Sequence, residues 1–426
     1  MKQQTVVTPE RKAVAELDIQ AVRQDFDLLR GGPGDTPYVY LDSASTSLTP
    51  RPVVEAVAHY YSELNANIHR ASYAKAIEAT RLFEEARETV ARFVGAGTDE
   101  IVFTANASAS LNLVAQLLHR NGLVDDGVVL TTLAEHHSNL LPWRNLGKEV
   151  SVKYIELRDD YSVDLDSLET HLRAGGVRLV ALNYASNVTG TVNDIAAVSR
   201  LAREYGCLLA VDGAQGVPHC GFSAAELDVD FLAFSAHKML GPTGVGVLYA
   251  KKSLLSGLAP VSVGGGTVRS VSASSALPLG GPSRFEVGTP NISGALGLAA
   301  AIDYVDRFGM GAIQAYEAEL TADALRRFSR MEGVSLFGSR ESANRVGTFS
   351  FRLDGVPADM LCQVLADAYN IATRGGHHCA QPLVDRLSED GVCRMSTYFY
   401  NTRAELGFFF DSLQSVKDEF SKQGTR

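Results

Sequence analysis

Between residues 98 and 250 short β-branched runs alternate with helical patterns, and this alternation constrains the fold more than any other feature of the chain. "EIVF" (100–103) precedes the helical "SASLNLVAQLLHR", and "RLVALNY" (178–184) precedes "DIAAVSRLAREYG". "CLLAVD" (207–212), "DFLAFS" (230–235) and "GVGVLYA" (244–250) then follow in turn. Apolar runs of strand length set between helices predict an α/β fold, with a mostly parallel sheet covered on both faces. Ligands of such sheets sit at the carboxyl ends of the strands.

After "GTPNISGALGLAAAIDYVDRFG" (288–309) the pattern shifts to longer helices and separated strands such as "VGTFSFRL" (346–353), which predicts a smaller α+β domain. A chain of 426 residues is too long for one ordinary domain. The expected division is a large domain over 36–300 and a small one built from 1–35 and 301–426. "SVGGGTVRSVSASSALPLGGPS" (262–283) has little helical or strand potential and reads as a long surface or interface loop.

With 39 Lys and Arg against 49 Asp and Glu, the net charge of −10 repels polyanions, so nucleic acid is not an expected partner. The opening "MKQQTVVTPERKAVAELDIQ" lacks the apolar stretch of a signal peptide, and no later stretch supplies the ~18 apolar residues of a spanning helix. A cytoplasmic protein without membrane contact is expected. Five cysteines, at 207, 220, 362, 379 and 393, are an odd number without a secretory setting, so at least some thiols are expected to be free.

In "FLAFSAHKMLGPTGVGVLYAKK" Lys238 stands just after an apolar strand, beside Ser235 and His237. A lysine desolvated at a strand end has a disfavoured ammonium form and can form a Schiff base with an aldehyde cofactor such as pyridoxal phosphate. That cofactor also needs a carboxylate at its pyridinium nitrogen and donors for its phosphate. Asp212 ends "CLLAVD", and Ser235, His237 and the helix start at Ala107 and Ser108 offer donors. Taken alone, a lysine after a strand is usually solvated and Asp-Gly is usually a turn; the combination carries the weight.

The remaining cluster is "RGGHHCAQPL" (374–383). Glycines and a proline around Cys379 read as loop, so its thiol is available for chemistry. Consecutive residues seldom converge on one tetrahedral ion and no CxxC partner occurs, so no metal site is expected. A nucleophile needs a thiol deprotonated near neutral pH on a mobile segment, which nearby imidazoles and flanking glycines favour.

Taken in order, "EHHSNLLPW", "VDGAQ", "FSAHKMLGPTGVGVLY", "FEVGTPN" and "RGGHHCAQPL" resemble the class V aminotransferase-like pyridoxal enzymes, most nearly the group II (SufS/CsdA-type) cysteine desulfurases, from about residue 22 to 415. The resemblance implies pyridoxal-enzyme fold type I, with a seven-stranded, mostly parallel sheet. It implies that Lys238 carries the cofactor, Asp212 pairs with its ring nitrogen, His136 stacks on the ring, and Asn187 and Gln215 contact its O3′ side. Ser108, Ser235 and His237 would hold the phosphate with Thr289 of a partner subunit, making a homodimer. Arg394 and Arg374 would bind the substrate carboxylate, with His69 as a further active-site histidine.

The implied reaction converts L-cysteine to L-alanine and leaves a persulfide on Cys379, for transfer to an acceptor protein in iron–sulfur assembly or another sulfur pathway. A selenocysteine lyase or cysteine sulfinate desulfinase, or a biosynthetic aminotransferase, epimerase or carbon–sulfur lyase, uses the same scaffold. A silent scaffold for a sulfur acceptor is a further reading, opposed by the intact Lys238, Asp212 and His136 constellation. Two departures stand out. "NASA" (106–109) replaces the relatives' G-T-T-E, and Gly375 replaces a small hydroxyl residue, which implies a more mobile loop.

Overall fold

The computed structural model describes residues 17–30 and 37–423; the other parts of the expected 1–35 arm lie outside the described residues. Its strands, in chain order, are β1 (Val39–Tyr40), β2 (Ile101–Thr104), β3 (Val128–Thr131), β4 (Ser151–Tyr154), β5 (Val177–Asn183), β6 (Leu208–Asp212), β7 (Phe231–Ser235) and β8 (Gly246–Ala250). After these come β9 (Val268–Val271), β10 (Ala276–Pro278), β11 (Val334–Leu336), β12 (Thr348–Leu353), β13 (Ile371–Ala372) and β14 (Cys393–Ser396).

Seven strands form one sheet in the order β2-β8-β7-β6-β5-β3-β4. Only β8 runs against the others, pairing antiparallel with both β2 and β7. The expected mixed α/β sheet is therefore present, and every strand read from an apolar run between 98 and 250 falls in it. β4 was not legible because its residues alternate exposed and half-buried at the sheet edge, so it has no buried face to write into the sequence. On one face the helices Arg51–His59, Ala74–Phe93 and Ile292–Phe308 pack together; on the other, Ala107–Arg120 lies against β7 and β8.

A second sheet, β11-β12-β14, is antiparallel and carries its own apolar cluster with the helices Ala358–Tyr369 and Arg403–Gln423. β1 joins this part of the chain by pairing in parallel with β13, Val39 opposite Ile371. The stretch 262–283 is not loop throughout: β9 and β10 form an antiparallel hairpin. Its turn is closed by the Ser272 hydroxyl, which accepts from the N–H groups of Ser274 and Ser275. The hairpin is exposed on nearly every residue, so it lacks the alternating apolar pattern that announces a strand. No helix among the described residues is long and apolar enough to cross a membrane.

Candidate active site

Three neighbouring parallel strands deliver their carboxyl ends to one place: β5 ends at Asn183, β6 at Asp212 and β7 at Ser235. There they border a cavity of about 500 Å³. Lys238 follows β7 through the single turn Ala236–Lys238, and lines this cavity with Asp212, His136, Cys379 and Arg394. Burial pushes the Lys238 amine down to about 8, against the pull of the Asp212 carboxylate. Burial likewise pushes the Asp212 carboxyl up, with Lys238 opposing it.

His136 is placed by its own short turn. The Ser138 N–H donates to its Nδ1 at 3.1 Å, which leaves the proton on Nε2. Burial, with Lys238 close by, pushes this imidazole down to about 3, so the ring is neutral. Behind it the buried Glu135 accepts from Asn139 Nδ2 at 2.6 Å, Asn183 Nδ2 at 2.9 Å and the Thr132 hydroxyl at 3.0 Å. Glu135 thereby fixes Asn183, which lines the cavity, and burial raises its own carboxyl to about 8.

At the other end of the cavity the helix Ala107–Arg120 begins. Asn106 caps it, its Oδ1 accepting from the Ala109 N–H at 2.9 Å, so the departure from the relatives' motif keeps the helix start intact. The Ala107 N–H donates to Ser235 Oγ at 2.8 Å, and Ser108, Ser138, His237 and Thr243 complete a polar cradle on the cavity wall. β8 runs directly beneath: a Cβ on Gly246 would lie 2.5 Å from Asn106 Cα. A helix start beside short hydroxyl side chains suits a phosphate.

Arg394 comes from β14 and is buried. Its Nη1 donates to the Asn187 carbonyl at 2.9 Å and its Nη2 to Asp42 Oδ1 at 3.0 Å, while its Nε has no partner among the described residues. Arg374 donates from Nε to the other Asp42 oxygen at 3.2 Å. The two arginine backbones exchange hydrogen bonds, 3.2 and 2.7 Å long. Two guanidiniums at one wall, the inner one with an unused donor, suit a carboxylate ligand.

The cysteine loop is tied at several points. Asn187 Nδ2 donates to the His378 carbonyl at 2.8 Å, and Gly376 and Val392 exchange backbone bonds. Gly375 rests against the helix Ala358–Tyr369, where a Cβ would meet Asp359 Oδ1 at 2.4 Å. The glycine thus packs closely against the start of that helix, with the Asp359 Cα 3.0 Å from where its Cβ would stand. His378 and Cys379 both take left-handed backbone angles, φ 50° and 54°, unusual for residues with a Cβ. Cys379 is exposed at the cavity.

Of the residues expected from the sequence, the cavity gathers Lys238, Asp212, His136, Asn187, Gln215, Ala107, Ser108, Ser235, His237, Arg394, Arg374 and Cys379. It does not gather His69, whose Nε2 meets Glu84 at 2.9 Å, or Thr289, which is exposed near Asn67. Asp42, Ser45, Thr243 and Glu135 were missed. The run of short polar residues "DSASTS" (42–47) after an apolar strand was the signal available for the first two.

The aminotransferase class-V family model matches residues 39–409. The chain belongs to this family. Within the family it is 40% identical to a probable cysteine desulfurase 2 of Mycobacterium leprae, covering 96% of this chain and 99% of that one. It is 38% identical to a cysteine desulfurase of Haloferax volcanii, covering 95% and 98% of the two chains. Among solved structures, the apo cysteine desulfurase of Thermococcus onnurineus superposes with a TM-score of 0.89 at 37% identity, over 94% of this chain and 98% of that one. The cysteine desulfurase CsdA of Escherichia coli gives 0.86 at 34% identity, over 95% and 99%.

Proposed function

We propose that this chain is a pyridoxal phosphate-dependent cysteine desulfurase that converts L-cysteine to L-alanine and collects the sulfur on Cys379. The observation that carries the reading is that Lys238 and Cys379, far apart in sequence, line one cavity. Family membership and the relatives' names support it.

The residues fit the cofactor. Lys238 offers an amine lowered to about 8, Asp212 a carboxylate for a ring nitrogen, and the Ala107 helix start with Ser108, Ser235, His237 and Thr243 a cradle for phosphate. Bound there, pyridoxal phosphate supplies an aldehyde that condenses with amines and a ring that accepts the electron pair released at the substrate Cα.

Arg394 and Arg374, side by side on one wall of the cavity, would hold the substrate carboxylate and so orient its Cα. Lys238 would hold the cofactor aldehyde, and its amine would take the Cα proton, which its lowered affinity for protons permits near neutral pH. The neutral His136 presents an aromatic face and one N–H without adding charge. The Cys379 sulfur attacks the substrate sulfur, losing its proton, and the new S–S bond forms as the substrate Cβ–S bond breaks. The electron pair of that bond passes to Cβ, a proton completes the methyl group of alanine, and the sulfur remains on the enzyme.

Two broader features belong to the same reading. The exposed hairpin β9–β10 and Thr289 beside it form the surface of a homodimer in which each Thr289 serves the partner's phosphate site. The exposed position of Cys379 suits handing its sulfur to an acceptor protein. Product analysis tests the core of the reading: purified protein given L-cysteine should release L-alanine, whereas pyruvate or a keto acid without alanine would assign it to another reaction of the scaffold.

A further inference from the structure

Cys393 directly precedes Arg394 on β14, and neighbouring side chains on a strand point to opposite faces. While Arg394 lines the cavity, Cys393 is therefore turned into the apolar layer behind it, where it is 1% exposed. Cys362, on the helix Ala358–Tyr369, meets it there with the two sulfur atoms 3.2 Å apart. Both are free thiols, and the reaction on Cys379 uses neither. A further approach of about 1.2 Å would bring them to the ~2.05 Å of a disulfide bond.

We propose that Cys362 and Cys393 form an oxidation site, converted by peroxide to a disulfide that pins the helix Ala358–Tyr369 to β14 and weakens the amino-acid site on the opposite face of the strand. The chemistry balances with hydrogen peroxide as oxidant. The Cys362 sulfur attacks one peroxide oxygen, the O–O bond breaks, and a sulfenic acid and one water result. The Cys393 sulfur then displaces the sulfenic hydroxyl, losing its proton; the S–S bond forms and a second water leaves. Two thiols are oxidised by two electrons and one peroxide is reduced to two waters.

The order of attack follows from burial. Cys362, at 9% exposure, is nearer the surface than Cys393 and is the sulfur a small oxidant meets first. Burial holds the Cys393 thiol well up, so it stays protonated, and its S–H beside Cys362 favours the thiolate there.

The link to the cavity is short on both sides of the bond. The first turn of the helix carries Asp359, on which Gly375 of the cysteine loop rests within the reach of a single Cβ. On the other side, the β14 backbone exchanges hydrogen bonds with Arg374. Drawing helix and strand together displaces the floor of the loop relative to both arginines. Nothing in this chain of contacts depends on the desulfurase reading, only on an amino-acid ligand at the arginines.

The test uses the holoenzyme of the Cys379→Ala variant, so that peroxide does not consume the loop thiol. After hydrogen peroxide, alkylation under denaturing conditions and digestion, the peptides containing Cys362 and Cys393 are expected joined and two hydrogens lighter than their sum, and separated by dithiothreitol. Recovery of both as alkylated thiols, or of Cys362 as sulfinic acid with Cys393 free, overturns the site. In the same sample, L-alanine binding is read from the visible absorbance of the cofactor. Half-saturation should rise several-fold after peroxide and return on reduction. It should not move in Cys362→Ser/Cys379→Ala. A disulfide that leaves the alanine titration unchanged overturns the coupling.

Discussion

The backbone N–H of His137 donates to the carbonyl of Cys379 at 2.6 Å. A second bond joins the same two segments: the Gln381 N–H donates to the His137 ring Nε2 at 3.2 Å. The histidine pair after β3 thus serves two ends, His136 bordering the cavity and His137 anchoring the loop that carries the thiol. This anchoring matters because a thiol held at the cavity that Lys238 lines reaches a substrate that an unanchored loop would meet only part of the time.

Arg394 is the residue whose replacement should separate binding from chemistry. Arg394→Lys loses the fork that meets Asp42 and the Asn187 carbonyl and that is proposed to meet the substrate. Truncating one partner of a buried charge pair costs about 2 kcal/mol or more, so KM for L-cysteine should rise at least about 30-fold, with a smaller fall in kcat. Steady-state kinetics, with the cofactor absorbance as a check on the fold, measures it.

Lys238 sets a pH dependence. Its amine is pushed down to about 8, so the rate at which apoenzyme captures pyridoxal phosphate should climb as pH passes through about 8. In Asp212→Asn the carboxylate that opposes this shift is gone, and the midpoint should move lower. In the unfolded chain the lysine keeps its proton to about pH 10.4, so this group makes apoenzyme stability rise between about 8 and 10.4. Stopped-flow absorbance and urea titrations over that range check both.

His136 and His378 act in the acid range. Burial pushes each down to about 3, with Lys238 adding to the effect at His136 and Arg394 at His378. Unfolded, each binds a proton near about pH 6.5, so their contribution is complete above that value and is lost as pH falls toward about 3. The urea midpoint should therefore decline below about pH 6.5, and decline less steeply in His378→Gln.

Gly246→Ala tests the phosphate cradle from beneath. The added Cβ would lie 2.5 Å from Asn106 Cα and 2.6 Å from its carbonyl carbon, so the helix start must shift. Overpacking of this kind costs about 1–3 kcal/mol, and the affinity for pyridoxal phosphate should fall between about 5-fold and 150-fold. Absorbance titration of apoenzyme measures this, with circular dichroism expected to be unchanged.

What the sequence made legible is what a single strand end can carry. Lys238 and Asp212 each close an apolar run, and the strand order of an α/β sheet brings such ends together without further information. Cys379 stood out through the motif around it, and Arg394 came with the resemblance. Asp42 and Ser45 were not legible because their role arises from pairing of β1 with β13 and from the bridge of Asp42 to Ser396 on β14, segments more than 300 residues away that leave no local pattern. Glu135 was hidden for a related reason: its three donors come from Thr132, Asn139 and Asn183, so its burial is visible only once β5 lies beside β3. His69 and Thr289 came from resemblance alone, and within one chain they stand outside the cavity.

The most direct measurement is mass spectrometry of the Cys379 peptide after one turnover of holoenzyme with L-cysteine. The peptide should carry one extra sulfur atom, lost on treatment with dithiothreitol, with one L-alanine released per modified thiol. Alanine formed at the full rate by Cys379→Ala, or an unmodified Cys379 in wild-type enzyme that has released alanine, would contradict the account.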